Sequence, residues 1–266
     1  MLKRLFYVWR LLATGFCFAV FGVGSLILCC LFFPFVNLLI WNKESRITVA
    51  RKTVQRAFQG FIGMMHLLCV LRYNIVDRQR LDREGLLILA NHPSLIDTVF
   101  LMAMINQANC VLKTELQSNF FTRGVARAAN YIFNNQGPEL LADCVETLQH
   151  DGNLIIFPEG TRSPADGQMH FKRGAANIAV RAQRNITPVI IRCHPRTLGK
   201  GEKWWHIPPE TITFHIQVMD DIAICPFIEN AVSDVIAVRH LNAFLQTYFI
   251  KEVQRHAGTR TENTSH

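Results

Sequence analysis

His92 and Asp97 stand five residues apart in the stretch LLILANHPSLIDTVF, residues 86–100. An imidazole is the side chain best suited to take a proton near neutral pH, and a carboxylate is the usual group that orients it. Inside one helix, residues five apart point roughly 140° away from each other. The pair can therefore meet only if His92 lies outside the helix that carries Asp97. LLILA has the composition of a buried strand, which places Asn91 and His92 just past its C-terminal end, where open α/β sheets receive ligands. Pro93 suits the first turn of a helix and pushes the residue before it towards extended backbone. His92 is then expected to fold back over that turn, with Asp97 on one ring nitrogen and the other free as a general base. Taken alone, the stretch also fits a helix cap at Asn91 or His92 with Asp97 as a surface residue.

A second run has the same build. NLIIFPEGTRS, residues 153–163, passes from an apolar strand straight into Glu159, Gly160, Thr161 and Arg162. Glycine allows close backbone approach, the arginine fork fits a phosphate, and the glutamate can bind a hydroxyl. FKRGAANIAV follows, with Lys172 and Arg173 at the start of an expected helix whose N–H groups would also favour an anion. Asn91, Glu159, Gly160, Thr161, Arg162 and Lys172 are the candidate substrate-binding residues, and His92 and Asp97 the catalytic ones. No third ligand at a telling spacing suggests a metal.

These residues need a sheet to bring them to one edge. YNIVD, LLILA, CVLK, YIF, NLIIF, TPVIIRC and ITFHIQV read as strands, alternating with helical patterns over 94–106, 118–129, 138–150 and 172–183. Such alternation predicts a layered α/β domain with a mixed central sheet flanked by helices. Residues 229–253 have the apolar spacing of an amphipathic helix packing on that domain. The organisation expected is a membrane-anchoring helical region over 1–71, the α/β domain over 72–255, and a disordered tail over 256–266.

The anchor is read from Leu11 to Trp41, where no charged residue occurs. Basic residues flank both ends, Lys3, Arg4 and Arg10 before and Lys43, Arg46, Arg51, Lys52 and Arg56 after. Both ends therefore look cytoplasmic, which favours a hairpin bent near Gly22, Gly24 or Pro34 over a single crossing. The net charge of +8 suits an anionic membrane surface, and no spacing typical of nucleic-acid readers is present. The eight cysteines include no C-x-x-C pair and read as buried free thiols.

Taken together, NHPSLIDTV and FPEGTRS resemble the NHxxxxD and FPEGTRS motifs of the glycerolipid acyltransferase family, which includes the lysophosphatidic acid acyltransferases. FKRGA is similar to the basic segment that follows in that family, and ITPVIIR to its fourth block, in which Pro188 would help shape the acyl site. The resemblance spans Leu86 to Arg192. It implies an α/β fold behind a membrane-embedded helical segment, and acyl transfer to a lysolipid hydroxyl from acyl-CoA or acyl carrier protein as co-substrate, with no other cofactor. Localisation in the cytoplasmic membrane, with the catalytic domain facing the cytoplasm, is the matching expectation. The family's second block is altered: Lys113, Glu115, Leu116 and Gly124 are kept, but Asn134-Asn135 stand where an Asp-Arg ending is usual. That change leaves room for an unusual acyl chain or a non-phosphate acceptor. A thioesterase using water, and a non-catalytic membrane module, are the other readings.

Overall fold

The computed structural model describes residues 2–119, 122–134, 138–164, 168–199 and 201–258. Seven strands form one sheet: β1 Leu71–Val76, β2 Leu87–Ala90, β3 Asn109–Lys113, β4 Ile132–Asn134, β5 Leu154–Ile156, β6 Ile186–His194 and β7 Ile212–Val218. Their order is β1-β7-β6-β2-β5-β3-β4. Every neighbouring pair is parallel except β6 and β7, so the sheet is mixed, as expected. In the middle, β6, β2 and β5 lie side by side and run the same way. All four residues of β2 are buried, because helices cover both faces of the sheet.

The helices are α1 Leu2–Ile27, α2 Phe33–Leu39, α3 Lys43–Leu67, α4 Asp97–Met104, α5 Arg123–Ala128, α6 Pro138–Gln149, α7 Gly174–Ala182, α8 Cys225–Glu229 and α9 Asp234–Gly258. One core packs α3 and α4 on one side of the sheet; another packs α6, α7 and α9 on the other. The C-terminal segment differs from the single helix expected over 229–253. It is split, with the carbonyl of Ser233 starting a new helix by accepting the N–H groups of Ile236 and Ala237. Helix α9 then runs to Gly258, and the rest of the expected tail lies outside the described residues.

The apolar N-terminus also differs from the bent hairpin. Leu2–Leu39 is one continuous helical run, and Pro34 does not break it. A π-turn over Leu28–Phe32 joins α1 to α2, with the Phe33 N–H reaching back five residues to the Leu28 carbonyl. The widened turn accommodates a proline that cannot donate to the helix ladder. The chain reverses only after Leu39. Helix α3 returns antiparallel, since Trp9 Nε1 donates to the Leu68 carbonyl at 3.0 Å while Phe21 stacks with Phe58. The returning arm carries the charged residues, and its C-terminal half buries Phe61, Ile62 and Met65 within the core that α4 shares.

Along α1 and the π-turn after it, Leu12, Phe16, Val20, Val23, Ile27 and Leu31 are all exposed, at successive spacings of three or four residues. They form one apolar stripe, stable against lipid and unfavourable in water, and point to association with a membrane. At 1.5 Å per residue the run is roughly 57 Å long, well beyond a ~30 Å hydrocarbon core. The cysteines are free; Cys17, Cys110 and Cys144 are buried, but Cys30, Cys69 and Cys225 are exposed, unlike the uniformly buried thiols expected.

Candidate active site

The site forms where β2 and β5 end alongside β6. Leu89 pairs with Ile156 on one side and Pro188 on the other, so the residues just beyond β2 and β5 arrive together against β6, which runs on to His194. Asn91 ties the end of β2 to β6. Its Nδ2 donates to the Ile191 carbonyl and its Oδ1 accepts the Ile191 N–H, both at 2.7 Å. The side-chain amide extends the ladder one step past β2. It is buried and absent from the cavity wall, and its side chain is spent on framing the site.

His92 comes next. Its Nδ1 lies 3.0 Å from Asp97 Oδ2, and its ring stacks on Phe157 at a centroid distance of 4.2 Å. Asp97 is fully buried, and the same Oδ2 accepts the Ser94 N–H at 2.6 Å. Here the local structure departs from the sequence reading. Pro93 and Ser94 do not start the helix; α4 begins at Asp97 itself. The Ser94 N–H turns to the carboxylate and the Leu95 N–H to the Leu198 carbonyl, so residues 93–96 wrap around Asp97 as a turn. The two functional groups still meet. Burial pushes the Asp97 carboxyl above the ordinary carboxylate range, against the pull of His92 and the Ser94 N–H.

The turn after β5 locks against the His92 loop from the other side. Glu159 Oε1 accepts the Ser163 hydroxyl at 2.6 Å and the His92 N–H at 3.2 Å, and the Ser163 N–H donates to the His92 carbonyl at 2.7 Å. Burial also raises the Glu159 carboxyl, opposed first by the Ser163 hydroxyl. Glu159 does not line the cavity. The sequence reading assigned it to substrate; its observed contacts are with the backbone of the His92 loop and the Ser163 hydroxyl. Arg196 donates to the Ser163 and Pro164 carbonyls and lowers the Glu159 carboxyl electrostatically. Sequence reasoning missed Ser163, Phe157 and Arg196. The first two flank singled-out residues inside one motif, whereas Arg196 has no local signal at all.

Gly160, Thr161, Arg162 and Lys172 do line the cavity. Gly160 has φ +66°, and a Cβ there would meet Lys172 at 3.0 Å, so glycine serves both the turn and the lysine's close approach. Arg162 Nη1 donates to the Leu198 and Gly199 carbonyls, each at 2.8 Å. The first residues of α7, Gly174 and Ala175, join the same wall and add a helix N-terminus to two cations. Pro188 stays inside β6 and is not in the wall. Of the altered second block, Lys113, Glu115 and Asn134 line the cavity, and Asn135 lies outside the described residues.

The cavity is about 1130 Å³ and runs from His92 between the sheet and the N-terminal helices, where Phe18, Phe21, Leu28 and Phe58 line it. Its wall is largely apolar, with the polar groups of His92, Arg162, Lys172, Lys113, Glu115 and Asn134 set into it. That combination suits an amphiphile with an anionic head and a long hydrocarbon tail.

The comparisons concern an α/β domain that holds a buried His–Asp pair beside a turn carrying Arg162. Residues 72–192 match the acyltransferase family model. The match begins at Arg72, upstream of the Leu86 read from the motifs. The chain is similar to the 1-acyl-sn-glycerol-3-phosphate acyltransferase of Helicobacter pylori, 32% identical over 161 residues, 58% of this chain and 65% of that protein. The Pseudomonas aeruginosa enzyme of the same name is 28% identical over 145 residues, 52% of this chain and 56% of that protein. The chain spans about half to two thirds of the length of the curated relatives it matches. The crystal structure of the 1-acyl-sn-glycerophosphate acyltransferase PlsC from Thermotoga maritima has the same fold, with a TM-score of 0.67 at 20% identity over 95% of this chain and 98% of that one.

Proposed function

We propose that the protein is a membrane-bound O-acyltransferase that moves an acyl group from an acyl thioester, on coenzyme A or acyl carrier protein, to the hydroxyl of 1-acylglycerol-3-phosphate. The observation that carries the reading is the His92–Asp97 pair at 3.0 Å, with His92 in the wall of a cavity that also holds Arg162 and Lys172. Asp97 fixes the proton on Nδ1, leaving Nε2 to act as base. As the acceptor oxygen attacks the thioester carbonyl, Nε2 takes its proton; the C–S bond breaks and the proton passes to the departing thiolate. An alcohol is too weak an acid to ionise beforehand, so proton removal accompanies attack. No acyl-enzyme forms.

Arg162, Lys172 and the N-terminus of α7 hold the acceptor phosphate, while the apolar part of the cavity and the lipid take the hydrocarbon chains. The basic residues on either side of the uncharged Leu11–Trp41 run support a cytoplasmic orientation for both of its ends and for the catalytic domain, against an anionic membrane surface. An acceptor without phosphate is the second reading, favoured by Asn134 in the wall where the family resemblance leads one to expect an acidic residue followed by arginine.

The test is thiol release by purified protein in lipid vesicles, with acyl-CoA or acyl carrier protein against a panel of lysolipids, and the product mass determined. An intact diacyl product containing the acceptor supports transfer; free fatty acid produced equally without acceptor identifies a thioesterase. His92→Ala should lose about 10²–10⁴-fold in turnover, the usual contribution of a positioned base, while remaining folded and membrane-bound. Near-normal turnover in that variant sinks the assignment.

A further inference from the structure

The segment joining β6 to β7, described over 195–199 and 201–211, is long for a connection between neighbouring antiparallel strands, and it touches both the site and α1, whose Phe18 lines the same cavity. Near its start it meets the site. The Leu198 carbonyl accepts from both Arg162 Nη1 and the Leu95 N–H, the Gly199 carbonyl accepts from Arg162, and Arg196 holds the turn containing Ser163. Near its end it meets α1. Arg10, only 1% exposed, donates to three successive carbonyls, from Nη2 to Pro208 at 2.8 Å and Pro209 at 2.5 Å, and from Nη1 to Glu210 at 2.6 Å. Between the two ends, Trp204 rests on α1, tilted against Phe18 at 5.8 Å and 3.3 Å from where a Cβ on Gly15 would lie.

A guanidinium buried in an otherwise apolar helix face is unfavourable unless its donors are satisfied. Arg10 spends both terminal nitrogens on backbone carbonyls and lies over the Phe6 and Tyr7 rings, while its buried Nε has no hydrogen-bond partner and no ion pair neutralises it among the described contacts. What it achieves is geometric. A planar fork holding a Pro-Pro-Glu backbone at three points allows that backbone little rotation or sliding.

We propose that Arg10 is a positioning residue for acceptor binding: through the 195–211 segment, it makes the placement of Arg162 depend on the seating of the membrane-associated helix. The Leu198 and Gly199 carbonyls aim Arg162 into the cavity, and they hold still because the other end of the segment is latched to α1. The link to an acceptor phosphate rests on the function proposed above; the mechanical link does not.

Two measurements on Arg10→Met and Arg10→Lys in lipid vesicles separate these layers. The first is hydrogen exchange read by mass spectrometry. Release of the latch should raise exchange at least fivefold in residues 195–199 and 93–96 as well as 206–211, with the buried strands β2 and β5 unchanged. A rise confined to 206–211 overturns the proposal whether or not the enzyme is active. The second is kinetic. Arg10→Met should raise KM for lysophosphatidate about tenfold and change kcat and the donor KM less than twofold, with monoacylglycerol used as by wild type. Arg10→Lys, which keeps the charge but not the fork, should fall between. Equal losses on both acceptors, no change on either, or failure of both variants to fold would show a structural role only and overturn it. A wild-type enzyme that transfers nothing, with exchange spreading as described, would instead refute the proposed function and leave the latch intact.

Discussion

Two buried carboxylates sit on opposite sides of His92 and do different work. Asp97 and Glu159 are both almost wholly buried, both are raised by desolvation, and each takes two hydrogen bonds on one oxygen. Asp97 holds the imidazole; Glu159 holds the backbone N–H of the same residue. In the proposed reaction the first acts on the proton and on the charge that develops when His92 accepts one. The second acts only on where the ring stands. From their types and burial the two are nearly alike, so their division of labour follows from which atom of His92 each one reaches.

Asp97→Asn should therefore be the more damaging of the two. Its amide can present an N–H to Nδ1 and stabilise the wrong tautomer, and turnover is expected to fall by about 10²–10⁴ with KM little altered. A loss below tenfold in steady-state kinetics would erase the contrast with Glu159. Arg162→Ala removes a charge-assisted contact and should raise KM for a phosphate-bearing acceptor by about 10–100-fold, in line with the ~1.5–3 kcal/mol of such bonds, with a smaller effect on kcat. An effect as large on an acceptor without phosphate would show that Arg162 only braces the Leu198–Gly199 carbonyls.

Glu159→Gln keeps an acceptor oxygen for the His92 N–H, and its effect on turnover should be about tenfold or less, while its mark on stability is distinctive. A carboxyl whose folded pKa is raised binds more protons folded than unfolded once the pH passes its ordinary value of about 4. Stability then falls as pH rises from there to the raised folded pKa, and is level above it. Both carboxylates contribute to that slope in the wild type. Melting curves across pH 4–8 should be flatter for Glu159→Gln, and flatter for Asp97→Asn as well; a slope unchanged in both variants would mean that burial does not raise these groups.

Much of this was legible in advance. The seven apolar runs and the helical patterns between them are local properties, set by β-branched content, spacing and turn residues, and each marks an element in the fold. The meeting of His92 with Asp97 was readable because Pro93 forbids a continuous helix through them. The route was not. Ser94 and Leu95 give their N–H groups to Asp97 and to Leu198, a partner about a hundred residues away, and the helix starts later than its pattern allows. Asn91 and Glu159 look like ligand-binding residues for the same reason: a polar side chain at a strand end signals a site without saying whether it faces in or out.

The sequence by itself determined the elements, the apolar N-terminal run and the chemical identity of the groups at the rim, because these depend on residues near one another in the chain. Tertiary structure alone decided which strands are neighbours. With β6, β2 and β5 side by side, the ends of β2 and β5 meet against β6, and hydrogen bonds across these segments turn Asn91 and Glu159 inward while Arg162 and Lys172 keep the cavity. Orientation of that kind depends on partners supplied by other strands, and no window of sequence contains them.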